Sequence, residues 1–313
     1  MKNRFILSII LIATNVVFAQ TDTTKNPTAV SDVPGLIAED SSMLDGLEDY
    51  EPDFITNTFK GNRLINSHSI EMLGKLNMDY RISHRFGTLD QGAYNLYGLD
   101  QAYQRMSFSF GLTDLINIEI GRSSVNKMYD ATVKWKLMRQ ANGDKKRPLS
   151  IVYVANMAVQ TLINTNANYL PYYFSNRLYY THQLLIAKKF NEKLSIQIMP
   201  TIVHRNLVDS FQYKNTVFSI GAGGRYKLTR KFAITGEYFY VLPNQISKYN
   251  YHNSLSLGVD IETGGHVFQL HFTNSTGMNE KGFITETTNS WLKNQIHFGF
   301  NISRVFYIGR KKN

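Results

Sequence analysis

Hydrophobic and polar residues alternate with a period of two through most of this chain, the spacing that sends successive side chains to opposite faces of a β-strand. The longest run lies between Ile70 and Phe86. Ile70, Met72, Leu76, Met78, Tyr80, Ile82 and Phe86 share one parity there, and Glu71, Lys75, Asp79, Arg81, Ser83 and Arg85 the other. Shorter runs follow at 105–113, 116–121, 129–137, 149–160, 178–190, 194–204, 217–228, 232–242, 254–262, 267–273 and 295–306, which makes twelve predicted strands. The run at 149–160 is apolar on both parities, so the pattern leaves its facing open.

The connections add a second regularity. Short turns at 113–115, 191–193, 229–231 and 263–265 alternate with longer stretches near 87–104, 161–177, 207–216, 243–253 and 274–292. Two depart from the rule: 122–128 is short for the long side, and 139–148 is long for the short side. An even strand count with short turns on one side and long loops on the other is the signature of a transmembrane up-and-down antiparallel β-barrel. A soluble sandwich accounts for the strands but not for the alternation of loop lengths. Aromatic residues near strand ends fit the same picture as interfacial girdles: Tyr80, Phe86, Tyr103, Trp135, Tyr180, Phe190, Tyr226, Phe232, Tyr240 and Phe306.

The N-terminal part is patterned differently. Lys2 and Arg4 precede a mostly apolar stretch from Phe5 to Val17, and Val17-Phe18-Ala19 supplies a signal-peptidase pattern that predicts a mature start near Gln20. That stretch is too short to span a bilayer, which takes about 20 residues. From Gln20 to Asp53 there are nine acids against Lys25 alone, with little periodicity, which reads as an acidic disordered leader. Attraction between this leader and the basic remainder would let residues 20–53 act as a plug. The predicted organisation is signal peptide 1–19, leader 20–57, barrel 58–308 and basic tail 309–313. No later segment has the length and apolarity of a transmembrane helix, so entry into a membrane requires a closed barrel, whose ladder leaves no backbone group unpaired in lipid.

Composition narrows the chemistry. The 313 residues hold 19 Tyr, 19 Phe and no Cys, which excludes disulfides, thiol nucleophiles and Cys-ligated zinc. The net charge of +10 invites a nucleic-acid reading. Export and a lumenal placement of the charges argue against it.

Particular blocks carry a resemblance. Thr58 to Asn66 (TFKGNRLIN), Ser69 to Gly74 (SIEMLG), Tyr80 to Gly87 (YRISHRFG), Phe110-Gly111-Leu112-Thr113-Asp114, Ile120-Gly121-Arg122-Ser123, Lys134-Trp135-Lys136 and Phe298-Gly299-Phe300-Asn301 resemble an uncharacterised Bacteroidota family of outer-membrane β-barrel proteins. The likeness covers about residues 58–308 and implies a fold and a bacterial outer-membrane location, but no activity.

The polar parity supplies the candidate lumen-lining residues: Lys75, Asp79, Arg81, Arg105, Glu119, Lys134, Arg205, Arg225, Glu237, Asp260, His271 and His297. Twelve strands lie between small barrels filled by their own side chains and large ones holding a water channel. Two readings follow. One is a narrow passive pore for small polar or anionic solutes. The other is a closed barrel that anchors or docks partners through long loops such as Asn164–Tyr173 and Lys248–Tyr251. His271 and His297 could approach each other on neighbouring strands, but two histidines without a carboxylate at fixed spacing do not make a metal site. A third and weaker reading, an outer-membrane hydrolase, would draw on inward-facing Ser219, Ser256 and Ser303, but these lack any catalytic motif; the Gly221–Gly224 run has no helix after it to hold a phosphate, so it reads as a place for the strand to bend. No catalytic residue, cofactor or metal is expected. The expected partners are a lipid bilayer, outer-membrane assembly machinery and small solutes.

Overall fold

The computed structural model describes residues 52–143, 146–162, 173–208, 213–247, 251–263 and 266–309. The signal peptide, nearly all of the acidic leader, most of the basic tail and the centres of the two loops at 164–173 and 248–251 lie outside them.

Alternation produces strands wherever it is sustained. They are β1 (Asp53–Phe54), β2 (Asn77–Thr88), β3 (Ala102–Gly111), β4 (Ile116–Ser123), β5 (Met128–Met138), β6 (Ala141–Asn142), β7 (Ser150–Gln160), β8 (Leu178–Lys189), β9 (Leu194–Arg205), β10 (Thr216–Lys227), β11 (Phe232–Val241), β12 (Ser254–Glu262), β13 (Val267–Thr273) and β14 (His297–Tyr307). Twelve of them form a closed antiparallel barrel, each pairing with its neighbour in sequence, and β14 returns to pair with β2. β1 and β6 form a separate two-stranded sheet.

The wall sorts its residues by parity. Phe108, Ile120, Val133, Trp135, Ile198, Ile220, Ile234, Leu257 and Leu270 stand exposed on the outer face. An apolar surface continuous around a whole barrel is stable against lipid and not against water. No helix among the described residues is long and apolar enough to cross a membrane. Nine of the ten girdle aromatics lie on the outward parity; Tyr103 instead shares the inward parity of Arg105.

The first predicted strand is shortened at its start. The alternation from Ile70 reads as a strand, but β2 begins at Asn77. Leu76 has φ 62°, in the left-handed region that breaks an extended run, and Asn77 N–H donates to Gly74 O in the turn that results. Residues before this turn leave the wall and enter the barrel. The ambiguous run at 149–160 resolves into β7, whose inward Val152 and Val154 are buried.

Candidate functional site: the filled lumen

The lumen is occupied by the chain itself. Residues 58–73 precede the wall and run through its interior, and Asn62 to Ser69 are almost wholly buried. The segment has no partner in the wall ladder. It turns on itself, with Leu64 N–H donating to Ser67 O and Ser69 N–H to Asn62 O, and side chains of the wall satisfy much of its remaining backbone, as buried amides require. Glu237 on β11 accepts from Asn66 N at 2.8 Å, Ser67 N at 3.0 Å and Ser67 Oγ at 2.7 Å. Gln197 on β9 accepts from Ile70 N and donates to His68 O. Gln269 on β13 donates to Leu64 O, while Arg81 on β2 and Asn301 on β14 donate to Ile65 O. Ser109 on β3, Glu119 on β4, Lys134 on β5 and Ser256 on β12 complete the grip. One short segment thus bonds to nine of the twelve wall strands, which a strand lying against one side could not do. It crosses the lumen as a plug.

A second piece, a cap, enters the lumen from the long-loop end. The long connection between β13 and β14 folds inward as α1 (Glu280–Thr285), every residue of which is buried. Asn279 caps it by accepting from Gly282 N at 2.9 Å. Phe283 and Ile284 meet an apolar half of the lumen built by Val152, Val154, Leu185, Met199, Val203 and Phe239, which also receives Phe59, Leu64 and Ile70 of the plug.

Plug and cap meet at one ionic centre. Arg63 of the plug bonds Glu119 at 2.7 Å and Glu280 of α1 at 3.0 Å. Glu119 is shared with Arg105 at 2.9 Å, and Arg105 also bonds Asp130. Gly121 leaves the room for this guanidinium, since a Cβ there would lie 2.3 Å from Arg105 Nη2. His68, 0% exposed, approaches Arg63 Nη2 at 2.9 Å and Glu280 at 3.4 Å through the same Nε2. Burial first, and Arg63 second, hold its pKa well below the usual 6.5. The neutral ring therefore accepts from Arg63 at Nε2, and the approach of Glu280 to that nitrogen is not an ion pair. Burial likewise raises the Glu280 pKa, against the pull of Arg63.

Among the residues expected in the lumen, Asp79, Arg81, Arg105, Glu119, Lys134, Arg205, Arg225, Glu237, Asp260, His271 and His297 are all buried on the inward parity. Lys75 is placed elsewhere: it is exposed in the turn before β2, where its backbone N–H meets Asp114. Arg105 and Glu119 join the ionic centre. Lys134 is held by oxygens of Asn62, Ser69 and Glu71, none of them a carboxylate oxygen. Arg225 pairs with Asp260 and Glu262 near the short turns. Arg205 donates to Lys214 O at the long-loop end. Asp79 lines a cavity of about 370 Å³ beside the plug, together with Lys60 and Ser303.

The two histidines do not form a unit. His271 bonds Arg85 at 3.3 Å, whereas His297 contacts Phe86 O, Thr276 and Asn289, tying down the cap. No cluster of metal-ligating residues is present among those described. Gly223 has a use that bending does not cover, because a Cβ there would lie 2.5 Å from Leu64 of the plug.

Arg63, His68 and Glu280 escaped the pattern reading. A plug lacks the period that marks a wall strand, so its one legible signal is negative: Arg63 to Ser69 shows no alternation between two regions that are easily classified.

At the short-turn end the plug is fastened by a clasp. β1 pairs with β6, Ile55 N–H donates to Gln140 O at 2.9 Å, and the Phe54 ring lies under Arg139 and Arg147. The long connection at 139–148 thus has a use on the side where turns are otherwise short.

A family model described as a membrane bound beta barrel domain (DUF5777) matches residues 59–306. No curated protein matches the chain. Among solved structures, the NanC porin is 9% identical with a TM-score of 0.45, over 74% of this chain and 98% of that one. The KdgM porin is 9% identical with a TM-score of 0.43, over 74% and 99%. The COG4313 outer membrane channel from Pseudomonas putida F1 is 11% identical with a TM-score of 0.43, over 79% and 99%. At such identities and TM-scores these likenesses carry nothing about what this lumen takes.

Proposed function

The chain belongs to the family of membrane bound beta barrel domains, DUF5777, and on that footing we propose that it is a bacterial outer-membrane pore for small polar or anionic solutes, here in its closed state. The observation that carries this reading is that the wall is complete without the plug. β14 closes directly onto β2, so residues 58–73 can leave without breaking a single rung of the ladder. What holds them is largely polar, and water can replace such contacts one for one. Lys134 and Arg81 grip the plug by its carbonyl oxygens. Once it leaves they face an aqueous path, which supports a mild preference for anions.

A second reading has its own support. The apolar half of the lumen, with Phe239, Phe283 and Ile284 fully buried, is packed like the core of a soluble domain. A barrel filled permanently in this way would serve as an anchor or docking platform.

Conductance separates the two. Folded protein lacking residues 20–73, inserted in a planar bilayer, is expected to give discrete steps, with a reversal potential in a salt gradient displaced toward that of the anion. Silence from a barrel shown to be inserted would sink the pore and leave the platform.

A further inference from the structure

We propose that the short-turn rim over β8–β11 binds the phosphate headgroups of anionic phospholipids. Five cations crowd this arc: Lys188 at the end of β8, Lys193 in the β8–β9 turn, Lys227 at the end of β10, and Arg230 and Lys231 in the β10–β11 turn. The two hairpins lie side by side, with Lys227 N–H donating to Lys193 O at 2.8 Å. Of the acids near the arc, Glu192 is engaged by Lys189 at 2.9 Å, Glu262 by Lys60 and Arg225, and Asp53 lines the same cavity as Lys188 without pairing with it. None of the five has a carboxylate within 4.0 Å among the described residues.

Position selects lipid over a soluble anion. Phe190, Tyr226 and Phe232 stand exposed on the outer face beside these cations, 54%, 45% and 44% open, at the depth where rings meet headgroups. Lys188 itself is on the lipid-facing parity, continuing the row Leu184 and Ile186, and its Nζ lies 5.1 Å from the centre of the Phe190 ring. An ammonium in that row reaches the interface by laying its stem along the apolar wall. Arg304 repeats the arrangement elsewhere on the same rim, outward on β14 and 4.9 Å over Phe306. Lys227 shares the inward parity of Arg225 and turns toward the mouth, so the selection of lipid rests on Lys188: a cation in the hydrocarbon-facing row serves a phosphate tethered to acyl chains.

The surface is independent of whether the lumen conducts. Its test uses the full chain folded in detergent, mixed with phosphatidylglycerol or phosphatidylcholine, with retained lipid counted by native mass spectrometry. The wild type is expected to retain phosphatidylglycerol preferentially, and each cation removed is expected to reduce that preference about five-fold. The variants are K188Q and the fivefold K188Q/K193Q/K227Q/R230Q/K231Q, with folding checked by heat-dependent gel mobility. Raised salt should weaken the wild-type preference, which keeps the proposal testable where the fivefold variant does not fold. Excess glycerol phosphate should not displace the lipid. Equal retention of the two lipids, an unaltered preference in a folded variant, no effect of salt, or displacement by glycerol phosphate would each overturn the proposal.

Discussion

Glu237 is the residue at which the seating of the plug can be weakened with least disturbance to the wall. Its carboxylate receives three hydrogens from Asn66 and Ser67, all at 3.0 Å or less, and both of those residues are buried. Glu237→Ala leaves these donors without an acceptor when the plug is seated, while water serves them when it is released. A hydrogen bond to a charged group contributes roughly 1.5–3 kcal/mol. The variant also relieves the seated state of a buried carboxylate, which offsets part of the loss. A net weakening of about 2–4 kcal/mol follows, or a shift of roughly 30- to 1,000-fold in the ratio of closed to open barrels. Single-channel open probability is the direct assay, and tryptic cleavage after Arg63, which is buried when the plug is seated, is an independent one. Open probability and cleavage rate both equal to wild type, in folded protein, would refute the reasoning.

Other predictions follow from the same contacts. Arg63→Ala removes the cation between Glu119 and Glu280, and the loss of one member of a buried ionic cluster is expected to cost about 3–5 kcal/mol, read as a drop in the plug's protection from proteolysis. Removing residues 20–51, which spares β1 and the plug, is expected to leave conductance near wild type. A rise as large as that from removing 20–73 would place the obstruction in the leader. Seating also depends on pH through His68, whose pKa is depressed in the seated plug. Its contribution is complete above about 6.5 and is lost as the pH falls through that value, because the released ring takes up a proton that the seated ring refuses. Open probability should therefore rise between pH 7 and pH 5, and His68→Asn should flatten the curve. Glu280, with its raised pKa, acts in the opposite sense: its contribution is complete below about 4.5 and is lost as the pH rises through its own pKa, so Glu280→Gln should steepen the acid opening.

The wall was legible because a lipid-facing strand must alternate, and each of the twelve predicted runs became a strand of the barrel. Inward facing of Arg105, Glu119 and Lys134 was legible for the same reason. Their use was not, because burial beside a plug and exposure to a water channel impose the same polarity on the wall. Ile70 to Gly74 misled for a related reason: it alternates, but Ile70 N–H donates to the Gln197 side chain and Glu71 O accepts from Lys134 rather than from a neighbouring strand. The apolar inner face of β7 erased the contrast on which the method depends, and its meaning required Phe283 and Ile284, more than 120 residues away in sequence.

The clasp at β1 and β6 bears on the speed of any opening. It fixes the chain at Phe54 while β2 fixes it at Asn77, so the plug is a loop of some twenty residues tied at both ends. A released plug stays confined near its own seat, at an effective concentration in the millimolar range for such a tether. Closure of a loop this short takes well under a microsecond to reach encounter, and reseating is a first-order event that no dilution can slow. Opening with the clasp intact should then appear as flicker, whereas parting β1 from β6 would convert the same barrel to long, sustained openings.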